Sequence, residues 1–312
     1  MSERPRPIIC LMGPTASGKT DLAVKLVEEL PLEIISVDSA MVYKGMDIGT
    51  AKPDAETLRR APHRLIDFLD PAEPYSAARF CADALRGIEE IIRAGKTPLL
   101  VGGTMMYFRS LLQGMAELPA ADEALRAKLA AEAKELGWQE LHRQLAAVDV
   151  EAAARIHPND PQRISRALEV YQLTGVPLSQ WIQQPTHTLP YQPVLIGLVP
   201  SDRSKLHERI ATRFDYMLQT GLVDEVRNLF QRGDLNIDKP AIRAVGYRQV
   251  WQYLSGELDY QSMREKGVIA TRQLAKRQLT WLRSITETQN FDCLNKGLAT
   301  EVLKTLEKIH IN

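Results

Sequence analysis

Cysteine is scarce in this chain of 312 residues: Cys10, Cys81 and Cys293 stand far apart, and none belongs to a Cys-x-x-Cys pair. That excludes a disulfide framework and a zinc knuckle, and fits a reduced setting inside the cell. No stretch approaches the roughly 18 consecutive apolar residues of a membrane span. The first apolar run, Ile8 to Met12, is too short for the core of a secretory signal, so a cytoplasmic protein with no membrane partner is expected. Net charge is missing too. Lys plus Arg number 39 and Asp plus Glu number 39, which excludes a polycation or an acidic-tail protein. The chain also has no internal repeat and no low-complexity tract.

What is present is a globular composition, 45% hydrophobic, of a length that suits about two domains. Short apolar runs alternate with helical patterns through the first hundred residues, as βα units around a parallel sheet do. Strands are predicted at Ile8–Met12, Glu33–Val37, Leu65–Leu69 and Pro98–Val101, with helices over Lys19–Leu30 and from a Ser76 cap to Gly95. From Glu117 the texture turns to Ala, Glu, Lys and Arg at helical spacing, and Val194–Val199 then reads as a strand returning to the sheet. Beyond Ser201 the pattern is helical again, with turns expected at Gly221, Gly233, Gly256 and Gly267.

Resolved by region, the zero charge is uneven. Residues 1–115 carry 14 basic and 15 acidic side chains, residues 116–187 carry 7 and 10, and residues 188–312 carry 18 and 14. Between Arg243 and Arg283 eight basic residues face three acids, Glu257, Asp259 and Glu265.

Gly13-Pro-Thr-Ala-Ser-Gly-Lys19-Thr20 satisfies G-x-x-x-x-G-K-[ST] between a predicted strand and a predicted helix. Glycines let backbone N–H groups turn toward an anion, the helix N-terminus adds partial positive charge, and Lys19 adds a full one. Thr20 is placed to hold Mg²⁺ beside phosphates. The bland alternative is a tight strand-to-helix turn without a ligand. The fold class expected is therefore α/β, a P-loop NTPase-like parallel sheet, with a helical insertion domain over 117–187 dividing a core made of 1–116 and 188–312. A nucleoside-triphosphatase would normally add an apolar strand ending in Asp to place the metal. Here Pro98-Leu-Leu-Val-Gly-Gly-Thr104 ends in Gly-Gly-Thr. That disfavours a motor or switch ATPase and leaves a small-molecule kinase using ATP, or another use of a diphosphate.

Asp38 closes the run Glu33-Ile-Ile-Ser-Val-Asp38-Ser39, at the carboxyl edge of a strand, where open α/β sheets bind ligands. A carboxylate facing a diphosphate needs a task, such as acting as a base or orienting a substrate. Capping of local N–H groups by Asp38 and Ser39 is the alternative.

Gly13 to Thr20, Ile35-Ser-Val-Asp-Ser-Ala40 and Tyr43-Lys-Gly-Met-Asp-Ile-Gly-Thr-Ala-Lys-Pro53 closely resemble the tRNA dimethylallyltransferase family, also called tRNA isopentenyltransferases. Pro62-His-Arg-Leu65, Val101-Gly-Gly-Thr104, His157-Pro-Asn-Asp-Pro-Gln-Arg163, Val245-Gly-Tyr-Arg248 and Thr271-Arg-Gln-Leu-Ala-Lys-Arg277 follow in the family's order. The resemblance implies transfer of a dimethylallyl group from dimethylallyl diphosphate to N6 of the adenosine just 3′ of the anticodon, position 37. It implies that Gly13, Pro14, Thr15, Ala16, Ser17, Gly18, Lys19, Thr20 and Arg213 hold the diphosphate or a nucleotide. Lys19, Asp38 as base and Thr104 beside the target base would be catalytic. Because that base lies in the anticodon stem-loop, it must be extruded, and a channel through the core is expected, with RNA and allyl donor entering from opposite ends.

The resemblance further implies tRNA contacts from Asp38, Ser39, Ala40, Met41 and Thr104. Others would come from Gln162, Arg163, Ile164, Ser165 and Arg166, and from Arg243, Ala244, Val245, Gly246, Tyr247 and Arg248. A last block is Lys276, Arg277, Gln278, Leu279, Thr280, Trp281, Leu282 and Arg283. Asp160 and Pro161 read as the start of a helix, on which Arg163 and Arg166 are either a solvated face paired with acids such as Glu169 or an RNA contact. On a helical wheel Lys276 and Arg283 fall on the same side as Arg272, while Leu274 and Trp281 fall on the opposite side. A basic face opposite an apolar one is expected, with Leu279 interrupting the basic side. RNA binding through such a track weakens steeply with salt. Eukaryotic relatives carry a C-terminal zinc finger, whereas this chain has only Cys293 and His310 there, so no structural zinc and a helical tail are expected. Mg²⁺ is the one cofactor expected and a monomer the expected state; an RNA-binding protein without activity is the rival that leaves the phosphate loop unexplained.

Overall fold

The computed structural model describes residues 5–114, 116, 118–183 and 189–309. The first βα units are β1 (Pro7–Met12), α1 (Lys19–Glu29), β2 (Leu32–Val37), α2 (Ala55–Arg60), β3 (His63–Arg64), α3 (Ala77–Arg93), β4 (Thr97–Gly102) and α4 (Met105–Gln113). Helices α5 (Glu123–Leu136), α6 (Trp138–Val148), α7 (Val150–Arg155), α8 (Pro161–Thr174) and α9 (Leu178–Ile182) follow. The chain then continues through β5 (Gln192–Val199), α10 (Arg203–Gln219), α11 (Leu222–Phe230), α12 (Tyr247–Leu254), α13 (Tyr260–Arg283), β6 (Gln289–Asp292) and α14 (Leu298–Glu307). Among the described residues the strands form one sheet in the order β3-β2-β4-β1-β5-β6, every pairing parallel. None of the helices is long and apolar enough to cross a membrane.

Two compact units emerge, residues 1–110 with 190–312, and residues 111–189. The expected insertion limits, Glu117 and position 187, lie outside the described residues, as does His310. In the larger unit, continuous apolar runs make strands buried on both faces, as helices covering a parallel sheet require. Ile9 and Leu11 of β1, Leu99 of β4 and Ile196 and Leu198 of β5 are fully buried, packed with Leu22 and Leu26 of α1. Val302 and Leu306 of α14 join this cluster, so the expected tail is core structure. The smaller unit closes over Leu129, Leu141, Leu145, Ile164 and Leu168. Its α8 starts where Asp160 accepts the Arg163 N–H at 3.1 Å with Pro161 in the first turn, an N-cap whose loss costs about 1 kcal/mol.

Two expectations fail for identifiable reasons, and one strand was not expected. The strand at Leu65–Leu69 does not form: Leu65 and Asp67 have φ of 61° and 56°, and Asp67, Phe68 and Leu69 donate instead to the carbonyls of Met41 and Val42. Gly267 is no turn. It lies inside α13, where a Cβ would fall 2.1 Å from the Phe214 ring, so it permits close approach of α13 to α10. The unexpected strand is β6, whose sequence Gln-Asn-Phe-Asp shows no apolar run; main-chain pairing with the edge of β5 creates it.

Candidate active site

The loop from Gly13 to Thr20 joins β1 to α1 at the carboxyl edge of the sheet. Ala16 (φ 61°) and Gly18 (φ 79°) both take left-handed backbone, which a glycine adopts without cost and which turns the chain around a cradle. The Lys19 ammonium donates to the Pro14 carbonyl at 2.6 Å, and Ser17 is buried beneath it. Part of Lys19 remains open to the cavity, but its ammonium sits deep. Desolvation, reinforced by the positive charge of Arg213 and opposed by Asp38, pulls it down to about 7. Burial likewise lowers the Arg213 guanidinium, reaching in from α10, with Asp38 and Asp21 acting in the opposite sense.

Asp38 follows β2. Its Oδ1 accepts the N–H groups of Ala40 at 2.8 Å and Met41 at 3.2 Å. Local capping is therefore real, but it occupies one oxygen and orients the carboxylate at the cavity wall. Thr104, after β4, accepts the Ser39 N–H at 3.1 Å and donates to the Ser39 hydroxyl at 3.4 Å. The Gly-Gly-Thr end of β4 has a steric cause. A Cβ on Gly102 would fall 2.0 Å from the Val37 carbonyl oxygen, and one on Gly103 would fall 2.3 Å from Gln278 Nε2.

Thr15 to Thr20 of the phosphate loop, Asp38 to Met41, Gly103, Thr104 and Arg213 line one cavity of about 1570 Å³. Arg243 to Tyr247, Arg277, Gln278 and Trp281 line it too. Two cations and a fixed carboxylate thus share an enclosure in which charge interactions are screened less than in water. Thr20 is part of its lining. Among the described residues no group of three or more His, Cys, Asp or Glu side chains is arranged to hold a metal ion. A site offering one hydroxyl next to a phosphate cradle nevertheless fits Mg²⁺, which keeps water and phosphate ligands and needs few from protein.

The expected RNA-facing residues divide. Arg243, Arg248, Lys276, Arg277, Thr280 and Arg283 are exposed, as are Gln162 and Arg163 in the smaller unit. Ile164, Leu279 and Leu282 are 0%, 5% and 1% exposed, so these three side chains belong to the core and are not surface contacts, and the fully buried Tyr247 borders the cavity. The Arg166 guanidinium is engaged by Glu169 at 2.7 Å and the Pro119 carbonyl at 2.8 Å. Glu169 is fully buried, takes two further bonds from Arg126 and one from the Asp122 N–H, and its carboxyl lies below the usual range because of these partners, against the opposing effect of burial. The pairing of Arg166 with Glu169 is thus the alternative that the structure shows, with the difference that Glu169 is buried and not solvated.

Helix α13 is also turned differently from its apolar stripe. Ala275, Leu279 and Leu282 make the buried side, whereas Leu274 and Trp281, opposite Arg272 on the wheel, line the cavity. The Arg109 guanidinium sits 5.5 Å from the Trp281 ring centroid. Packing against α10 and α12 selects the buried side, and the apolar stripe is left for the cavity.

Glu225 was invisible in the sequence, where it looks like an acid in the first turn of α11. It accepts the N–H groups of Asp47 (2.8 Å), Ile48 (2.7 Å) and Gly49 (3.1 Å) and the hydroxyl of Tyr247. Burial and this carboxylate together raise the Tyr247 phenol, which stays protonated as a donor. A Cβ on Gly49 would fall 2.4 Å from the Tyr247 ring, so this cavity wall is tightly specified.

The depressed Lys19 carries a testable consequence. Above pH 7 the free protein holds much of Lys19 as the neutral amine, and a bound polyanion restores the charge, so binding draws in a proton. Calorimetry of inorganic diphosphate binding at pH 8, in buffers of different ionisation enthalpy, should show greater proton uptake for the wild type than for Lys19→Met. The excess should be a sizeable fraction of one proton per site; equal uptake by both would contradict it.

The IPP transferase family model matches residues 41–285, and an isopentenyl transferase model matches residues 7–68. Over 279 residues the chain is 64% identical to the tRNA dimethylallyltransferase of Thioalkalivibrio sulfidiphilus, spanning 89% of this chain and 87% of that protein. Over 303 residues it is 57% identical to the tRNA dimethylallyltransferase of Coxiella burnetii, spanning 97% of each. Among solved structures, the full-length tRNA isopentenylpyrophosphate transferase of Bacillus halodurans is similar, with 38% identity and a TM-score of 0.72 across 98% of this chain and 96% of that one. A eukaryotic dimethylallyltransferase acting on tRNA shares 25% identity at a TM-score of 0.83, across 97% of this chain and 79% of that one.

Proposed function

Because the chain belongs to the IPP transferase family, we infer that it transfers a dimethylallyl group from dimethylallyl diphosphate to N6 of adenosine 37 in tRNA, releasing diphosphate. The observation that carries this reading is the shared cavity: a diphosphate cradle with Lys19 and Arg213 faces a carboxylate and a threonine on the neighbouring strand ends. A kinase reading accounts for the loop but not for the exposed basic residues from Arg243 to Arg283.

In the reaction the N6 nitrogen attacks the allylic C1 carbon while the C1–O bond to diphosphate breaks. Asp38, held through Oδ1, takes the N6 proton on its second oxygen. Thr104 orients the amine, and its bond to Ser39 keeps it in register with Asp38. Negative charge grows on the departing diphosphate, where Lys19, Arg213 and the loop amides stabilise it. Thr20 would hold Mg²⁺ together with diphosphate oxygens and water, and the ion would supply further charge neutralisation there.

Arg243, Arg248, Lys276, Arg277 and Arg283 form a phosphate track for the anticodon stem-loop, and the smaller unit, through Gln162 and Arg163, acts as a tRNA-contacting insertion. The extruded base and the allyl donor enter the cavity from opposite ends, and the protein works as a cytoplasmic monomer. Labelled dimethylallyl diphosphate, Mg²⁺ and total tRNA test the reading without ATP. Label should move into RNA; label that stays in the diphosphate, or moves only when ATP is added, would overturn it.

A further inference from the structure

Adjacent strands β1 and β4 run in register to Met12 and Gly102, and the segments that follow them part company. One becomes the phosphate loop, the other carries Thr104. At this fork a side chain from α13 spans the gap. Gln278 Oε1 accepts the Thr15 N–H at 2.9 Å, and Gln278 Nε2 donates to the Gly103 carbonyl at 2.9 Å. Among the described residues no other side chain hydrogen-bonds both segments.

The fit leaves little slack. A Cβ on Gly103 would lie 2.3 Å from Gln278 Nε2 and 3.2 Å from the Gly13 carbonyl oxygen, so the amide is wedged where the two segments are closest. From Gly103 the linkage continues to Thr104, to the Ser39 N–H, and so to Asp38. The Thr15 amide is thereby spent on Gln278 and not on the anion. An amide side chain carries an acceptor and a donor on separate atoms, so one residue can bond both segments at once.

We propose that Gln278 is a positioning residue that sets the distance between the diphosphate cradle and the wall bearing Thr104 and Asp38. This inference rests on the transferase reading and moves Gln278 from the RNA-facing set to the interior of the site. Bond breaking at the diphosphate and bond making at N6 occur on the same carbon. The cradle and the base must therefore be held in register, and a displacement of about 1 Å can cost about 100-fold in rate. Because Gln278 shares its helix with Lys276, Arg277 and Arg283, RNA seated on those residues bears on the same helix that fixes the loop.

The test uses the full chain with dimethylallyl diphosphate and an anticodon stem-loop RNA, with active sites counted by inorganic diphosphate titration so that misfolded protein is not scored as loss. Gln278→Met keeps the length and removes both bonds; Gln278→Glu still accepts from Thr15 but cannot donate to Gly103. Both should lower kcat about 30–100-fold, with the KM for RNA within about threefold of wild type. Wild-type kcat in either variant would overturn the proposal, and so would a loss confined to the KM for RNA, which would make Gln278 a nucleic-acid contact. A wild-type protein that transfers nothing would instead remove the transferase reading itself.

Discussion

Replacing Asp38 by Ala should lower kcat by about 10²–10⁴-fold, or about 2.7–5.5 kcal/mol of barrier, and leave tRNA binding intact. The N6 lone pair is delocalised into the purine ring, so the amine is a poor nucleophile until its proton is being removed. Asp38 lies within the cavity, and its geometry is imposed by the Ala40 and Met41 amides. Asp38→Asn separates two roles that Ala confounds. The asparagine oxygen can still accept those two N–H groups and keep the turn, but it cannot take a proton. If the base assignment holds, Asn is as damaging as Ala in single-turnover transfer. Near-normal turnover in the Asn variant would leave Asp38 as a turn cap only.

Lys19→Met should be nearly as severe, about 10²–10³-fold in kcat, the range for deleting one preorganised group from a developing anion. In the free protein the ammonium is parked on the Pro14 carbonyl, next to Arg213 and poorly solvated, so its charged form is unstable until an anion arrives. The arrangement favours the state with most negative charge on the phosphate oxygens, which is the departing diphosphate and not the intact ester. The expected signature is a loss in kcat larger than the loss in affinity for dimethylallyl diphosphate. A loss entirely in affinity, with kcat unchanged, would show that Lys19 binds ground state and transition state alike.

Much of the site was legible in local spacing. The phosphate loop announces itself because its backbone needs glycine at fixed positions between a strand and a helix, and Asp38 because it closes an apolar run. Longer-range choices were not legible. Nothing in the first turn of α11 says that Glu225 will gather three amides from residues 47–49, since such contacts depend on packing between segments distant in the chain. The facing of α13 was misread because its most apolar stripe, with Leu274 and Trp281, lines the cavity and is not buried in the core. Polar β6 escaped detection since its order comes from the free edge of β5 and not from its own side chains. Tyr247 looked like an RNA contact and instead donates to the Glu225 carboxylate inside the fold, whereas the pairing of Arg166 with Glu169 was one of the two readings that the helical spacing offered, without its burial.

The central claim is that one cavity joins a diphosphate cradle to a base that deprotonates an exocyclic amine. Its most direct measurement follows both products with a synthetic anticodon stem-loop, dimethylallyl diphosphate and Mg²⁺, digesting the RNA to nucleosides for mass analysis while counting released diphosphate. The account predicts N6-dimethylallyladenosine at the single adenosine 3′ of the anticodon, one diphosphate per modified nucleoside, and no product when that adenosine is replaced by inosine, which lacks the amine. Diphosphate released without RNA modification, or prenylation persisting on the inosine RNA, would contradict it.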